Sequence, residues 1–424
     1  MIGTAIAIIA SLIVYAKVNS RICREVILCV VSSFVYWQFV GIYSILLPLI
    51  SIATCLTCYV TNKETSCVKV ITITYIALLA ISFLIFKVDY VPVYLPIGFS
   101  ILCFSGISLV TDCRKRQLHT SFIDIYTYLS FFPKILAGPI ERYDRFISQI
   151  SSSVSLAKIY RGCKIILLCL FTKYIVAEFV NGIMPSEIYG INRLIDIFVY
   201  AILFYIDFWA YSNLAIGIAL LFGIELSVNF NKPYRSKTFH EFWRRWNITL
   251  SEWLRDYIYI PLGGNRKGFS RYALNLLVVF TVSAFWHDIA LTFLLWGIIH
   301  ALLIITERKS GLDKCDNVVY ATIVAIICGS LWQLFRYNSL AELIDSFSCV
   351  SIHQAIQFNA LVALAISLIY VFLIECKFIQ STIFQEPKSK ISIITEVIFV
   401  SALGIITLLG MNISNSSPFI YMAY

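Results

Sequence analysis

Residues 274–305 read LNLLVVFTVSAFWHDIALTFLLWGIIHALLII, two apolar runs parted by the polar step His287-Asp288. Runs of this kind approach the roughly 20 residues that cross a hydrocarbon core, and in lipid each backbone amide must be satisfied within its own segment, so each is read as a helix. The pattern recurs from end to end. Besides Leu274–Ala284 and Leu291–Ile305, the runs are Ile2–Ala16, Val26–Val40, Ser44–Val60, Val70–Phe86, Val93–Val110, Ile165–Val180, Leu194–Trp209, Leu214–Ile224, Tyr320–Leu334, Leu361–Leu373 and Ile391–Leu409. Several are short, which predicts an all-α polytopic membrane protein of about 10–12 transmembrane or re-entrant helices.

Composition agrees. Of 424 residues, 59% are hydrophobic and 13% charged, and the mean hydropathy is +0.83. A soluble chain carries about a quarter charged residues to cover its wet surface. Here much of the surface must face lipid. The first run lacks a basic flank and a small-residue cleavage site and is followed by more runs, so it reads as a retained helix rather than a signal peptide.

Lys17, Arg21 and Arg24 follow the first run, Lys63 and Lys69 flank the end of the third, and Arg114, Lys115 and Arg116 follow the fifth. The breaks near Gly41 and Asp89 carry little positive charge, so the positive-inside rule predicts a multi-pass protein with its N-terminus outside and these loops in the cytoplasm. The net charge of +9 is then loop charge scattered over many breaks, which excludes a nucleic-acid partner. The 13 cysteines lie mostly in apolar runs, as at Cys29, Cys103 and Cys169, where a thiol is a small hydrophobe. Cys55 and Cys58 form a CxxC inside a run with no second pair, and read as filler.

No repeat and no long hydrophilic stretch interrupts the chain, so residues 1–424 read as one integral membrane domain. The largest polar island, Asn229–Arg271, interleaves Phe239, Phe242, Trp243, Trp246, Leu250, Trp253 and Leu254 with His240, Glu241, Arg244, Arg245, Glu252, Arg255 and Asp256. That spacing predicts an amphipathic helix over 238–256 at the membrane interface. Thr238 ahead of Glu241 fits a capping box at its start, and Pro261, Gly263 and Gly264 end it. Gly263-Gly264 with Arg266 and Lys267 reads as a solvated basic turn. In a second island, FFPKILAGPIERYDR at Phe131–Arg145, Pro133, Gly138 and Pro139 break an apolar run. Such a break at membrane depth must be buried in protein or line a cavity, and a cavity is expected.

Histidine is scarce, with five at positions 119, 240, 287, 300 and 353. His287 is flanked on both sides by apolar sequence, where an ionised group costs roughly 3 kcal/mol and is usually retained for function. The alternative is a neutral imidazole in a helix–helix hydrogen bond. His300, thirteen residues on in the same apolar setting, reads as structural or as support for the site. His119, His240 and His353 read as solvated, and no pair has metal-ligand spacing, so no metal is expected. GxSxG, GxxxxGK[ST] and GxGxxG motifs are absent, which argues against several enzyme classes.

The block NFNKPYRSKTFHEFWRRWNITLSEWLRDYIYIPLGGNRKG at 229–268, followed by FWHDIALTFLLWGIIH at 285–300, closely resembles the membrane-bound O-acyltransferases, and most of all their bacterial alginate O-acetyltransferase branch. Leu95–Ser100 (LPIGFS), Phe131–Phe146 (FFPKILAGPIERYDRF) and Ser417–Tyr424 (SPFIYMAY) match in order. The resemblance implies helices around a central funnel, with N-terminal spans over 1–110, a catalytic core over 120–306 that includes the interfacial helix, and C-terminal spans over 318–424. The family histidine maps onto His287. A second polar position maps onto Asn247, where the nearest relatives have RRWH for this chain's RRWN, and WHG for its WHD. A mechanism needing two histidines is therefore in doubt.

The chemistry implied is transfer of acetyl from a cytoplasmic donor to hydroxyls of an exported or cell-surface polysaccharide at a bacterial plasma membrane. A neutral imidazole suits a general base, which is the role of His287. Asn247 would orient the hydroxyl or donate to the oxyanion. Arg244, Arg245 and Arg255 would attract donor phosphates or else anchor at the interface, and Trp246, Asp256, Gly138, Pro139, Trp286, Asp288 and His300 are further tunnel or donor-site candidates. No tightly bound cofactor is expected, and the donor is acetyl-CoA or an acyl carrier. The alternatives are D-alanyl or other acyl transfer from a carrier protein, or an acyl conduit serving a separate secreted or periplasmic acyltransferase.

Overall fold

The computed structural model describes residues 2–63, 67–87, 96–185, 190–337, 339–348, 356–385 and 390–411. Leu95, His353 and Ser417–Tyr424 lie outside them. Among the described residues all regular structure is helical. The chain forms two compact units, Met1–Cys163 with Leu214–Ser227, and Lys164–Asn213 with Val228–Tyr424.

Among the described residues, seven helical stretches are long and apolar enough to cross a membrane: Arg21–Thr61, Val68–Ile85, Ile191–Leu221, Phe269–His287, Leu291–Lys309, Val318–Arg336 and Phe358–Glu375, with shorter apolar helices at Gly3–Lys17 and Phe399–Leu408. The protein is an all-α, multi-pass membrane protein. Its exposed faces are apolar: Val70, Ile73 and Leu78 each keep more than 60% of their surface open, which suits lipid and not water.

The first unit holds α1 (Ile2–Lys17), α2 (Arg21–Val40), α3 (Leu46–Thr61), α4 (Val68–Ile85), α5 (Phe99–Arg116), α6 (Phe122–Ser130), α7 (Phe132–Ala137) and α8 (Tyr143–Ile147). Two expected spans, Val26–Val40 and Ser44–Val60, lie in one 41-residue helical stretch, redirected at Gly41, whose φ of +57° is open to glycine. Ser121 and Asp124 close a full capping box on α6.

The cavity expected at Phe131–Arg145 gives way to burial in protein: Phe131, Lys134, Ile135 and Glu141 are all buried. Pro133 starts α7 rather than ending a helix, since the first turn needs no amide donor. Gly138 is required by close packing, because a Cβ there would lie 2.6 Å from the Cα of Lys134. The Lys134 ammonium sits 3.5 Å from the ring centre of Tyr128 and donates to Ser105 Oγ at 3.3 Å.

α9 (Leu156–Phe171) passes into the second unit, continued by a π turn at Thr172–Ala177 and by α10 (Glu178–Ile183). The two runs Leu194–Trp209 and Leu214–Ile224 are a single helix, α11 (Ile191–Leu221). The polar step Tyr211-Ser212-Asn213 does not break it, because Asn213 returns its amide to Trp209 O at 2.8 Å and Ser212 Oγ accepts from Asn229. Then come α12 (Phe239–Arg245), α13 (Ile248–Leu254), α14 (Phe269–His287), α15 (Leu291–Lys309), α16 (Val318–Leu331), α17 (Gln333–Arg336), α18 (Leu340–Ser348), α19 (Phe358–Glu375), α20 (Lys377–Phe384) and α21 (Lys390–Met411). Two buried lysines among these helices are paired, Lys173 with Asp207 at 2.9 Å and Lys164 with Glu396, as a low-dielectric setting favours.

Candidate active site

α14 and α15 form a helical hairpin turned by Asp288–Ala290. Gly297 lets them touch: a Cβ there would fall 2.6 Å from Phe280 O and 3.1 Å from the Ala284 methyl. His287 is therefore not in mid-helix but closes α14, and Asp288, in extended backbone (φ −163°), ends the helix. The Asp288 carboxylate accepts the amide of Ile289 at 2.8 Å, so it caps its own turn.

His287 is 8% exposed and lies among Trp286, Phe335, Trp296 and Phe293, with ring centres at 4.3, 4.8, 5.5 and 6.0 Å. The cluster extends from Phe335 to Trp332 at 5.2 Å and from Trp332 to Trp246 at 4.5 Å. Trp246 is the residue before Asn247. The rings thus run from His287 through Phe335 and Trp332 to the residue that precedes Asn247.

The continuous helix expected over 238–256 is broken. α12 ends at Arg245, Asn247 adopts the left-handed conformation (φ +42°, ψ +56°), and α13 starts at Ile248. Few side chains tolerate that conformation, and Asn is among them. A π turn at Arg255–Tyr259 follows. The capping box is half made: Thr238 Oγ1 accepts the amide of Glu241 at 3.0 Å, while the Glu241 carboxylate accepts the amide of Lys237 at 2.7 Å instead of that of Thr238.

α12 is held at its start by another helix. Glu307, 2% exposed near the end of α15, accepts the amides of Phe239 at 2.7 Å and His240 at 3.0 Å and the hydroxyl of Tyr320 at 2.9 Å. One turn on, the Trp243 indole N–H donates to His300 Nδ1 at 3.2 Å, which makes fully buried His300 a partner of α12. Asn229 braces the break itself, accepting the Thr249 hydroxyl at 2.6 Å.

Among the other candidates, Arg245 pairs with Glu241 at 2.6 Å and Arg255 with Asp256 at 2.8 Å. Arg244 is exposed. Gly138 and Pro139 belong to the first unit. From the sequence, Glu307, Asn229, Trp332 and Phe335 have no site role, and Trp243 has only a place on the amphipathic face. Asn229 and Trp243 both lie in the distinctive block at 229–268.

The sequence model of the membrane-bound O-acyltransferase family matches residues 48–311. The probable alginate O-acetylase AlgI of Pseudomonas putida is 32% identical over 262 residues, 58% of this chain and 53% of its own. The peptidoglycan O-acetyltransferase of Helicobacter pylori is 36% identical over 197 residues, 44% of this chain and 37% of its own. The teichoic acid D-alanyltransferase of Bacillus subtilis is 30% identical over 232 residues, 49% of this chain and 57% of its own. The chain spans about half the length of the curated relatives it matches.

Proposed function

The chain belongs to the membrane-bound O-acyltransferase family, and on that premise we propose that it transfers an acetyl group from a cytoplasmic thioester donor to a hydroxyl of an exported or cell-surface polysaccharide. The observation that carries this reading is His287, an imidazole held at a helix end in an aromatic enclosure that runs on to the Asn247 break. The relatives named for alginate and peptidoglycan O-acetylation support the acetyl group and the glycan acceptor.

In the proposed reaction His287 accepts the proton of the acceptor hydroxyl as its oxygen attacks the thioester carbonyl. The new C–O bond forms, the C–S bond breaks, and the proton passes to the departing thiolate. The Asn247 side-chain amide donates to the oxyanion that develops on the carbonyl oxygen. Exposed Arg244 attracts donor phosphates, acetyl-CoA or a carrier-bound thioester supplies the group, and no bound cofactor takes part. In this reading the chain sits in a bacterial plasma membrane, and the basic loops favour an N-terminus outside.

A second reading, D-alanyl transfer from a carrier protein, is favoured by the teichoic acid relative. The test is transfer by the purified protein from acetyl-CoA, acetylated carrier and D-alanylated carrier to an envelope polysaccharide. Acetyl esters support the first reading and D-alanyl esters the second. An active-site variant, H287A, as active as the parent with every donor contradicts both.

A further inference from the structure

Asn247 occupies the N-cap position of α13, where an asparagine normally turns its side chain onto the helix's first free amides from extended backbone. It does not do so: it is left-handed, with no capping hydrogen bond from its side chain. The amides it leaves are met by a residue eighteen positions earlier. Ile248 N–H donates to the backbone carbonyl of Asn229 at 2.9 Å, and Thr249 donates to Asn229 Oδ1 through its hydroxyl at 2.6 Å and its amide at 3.4 Å. The Asn229 amide group is itself anchored on Ser212 Oγ at 3.0 Å. Two residues on, Asn231 N–H closes the other side of the break by donating to Arg245 O at 3.0 Å. Asn229, Ser212, Thr249 and Asn247 are all at least nine-tenths buried, where an unmet amide is costly.

We propose that Asn229 is a positioning residue: by capping α13 in place of Asn247, it holds Asn247 left-handed and leaves its amide for the reacting carbonyl. This rests on the reaction proposed above. Without the Asn229 side chain, the nearest replacement cap for α13 is Asn247 itself, rotated into extended backbone. The loss of Asn229 is then repaired structurally at the expense of the site, so activity falls more than stability.

The experiment compares N229A, N229D, N247G and the double variant N229A/N247G, measuring thermal unfolding and kcat and KM for acetyl-CoA. N229D keeps the acceptor that Thr249 needs, and N247G removes the amide while leaving left-handed backbone accessible. The expected result is a kcat for N229A lower by on the order of tenfold or more, as misplacement of a reacting group produces, with KM and melting temperature close to the parent, recovery in N229D, and no further loss when N229A is added to N247G. A parental kcat in N229A, or losses that multiply in the double variant, overturns the role of Asn229. If N247G alone keeps parental kcat, the oxyanion role of Asn247 fails, and this inference with it.

Discussion

The indole N–H of Trp243 points at Nδ1 of His300 across 3.2 Å. An accepting Nδ1 leaves the proton of the neutral ring on Nε2, so one contact fixes the tautomer of a buried histidine and the rotation of the helix that precedes Asn247. Replacing His300 by Phe strands the Trp243 donor in a dry cluster, a loss of about 1–3 kcal/mol. The double variant W243F/H300F removes the stranded donor as well, and its melting temperature should lie above that of H300F. Additive losses would contradict the pairing.

Glu307 caps α12 from outside with both carboxylate oxygens. A seven-residue helix is too short to persist alone, so this contact decides where α12 begins. E307Q turns one acceptor into a donor facing an amide and should cost about 2 kcal/mol. Thermal unfolding of purified E307Q, with E307A as the harsher case, measures the loss. A melting temperature equal to the parent's would contradict the cap.

The hairpin that presents His287 closes at Gly297. In G297A the new methyl meets Phe280 O, and backbone cannot yield cheaply, so α14 and α15 separate at a cost of about 1–3 kcal/mol. The Trp296 and Phe293 rings then shift against His287. The expected outcome is reduced transfer together with a lower melting temperature, whereas G297S offers no relief.

Glu241 gives the site an acid limit. Burial raises its pKa, but the Lys237 amide and the Arg245 guanidinium outweigh that and hold it below the usual carboxylate value. A depressed carboxylate contributes stability that is present above its unfolded pKa and fades as pH falls through the lower folded value. Protease sensitivity near α12 should therefore rise as pH drops through and below the carboxylate range. E241Q should lack that dependence and start from the weakened state.

Most spans were legible because they are apolar runs near membrane length, and the family because its motifs are linear. What stayed hidden depends on contacts distant in sequence. The period of Phe242, Trp243, Trp246, Leu250 and Trp253 runs unbroken through Asn247, so nothing local marks the left-handed turn. Ser212 and Asn213 read as a break in α11 because their partners, Asn229 and Trp209 O, are set by the fold. Glu307 has no local signal at all, because its acceptors face amides 67 and 68 residues away in sequence. Pairing of this kind has no period to read.

The most direct test of the proposed chemistry is the ester content of the envelope polysaccharide in cells that make H287A at the parent's level, determined by mass spectrometry of the released glycan. Loss of the esters to the level of cells lacking the gene is the predicted result. Esters at the parental level would contradict His287 as the base.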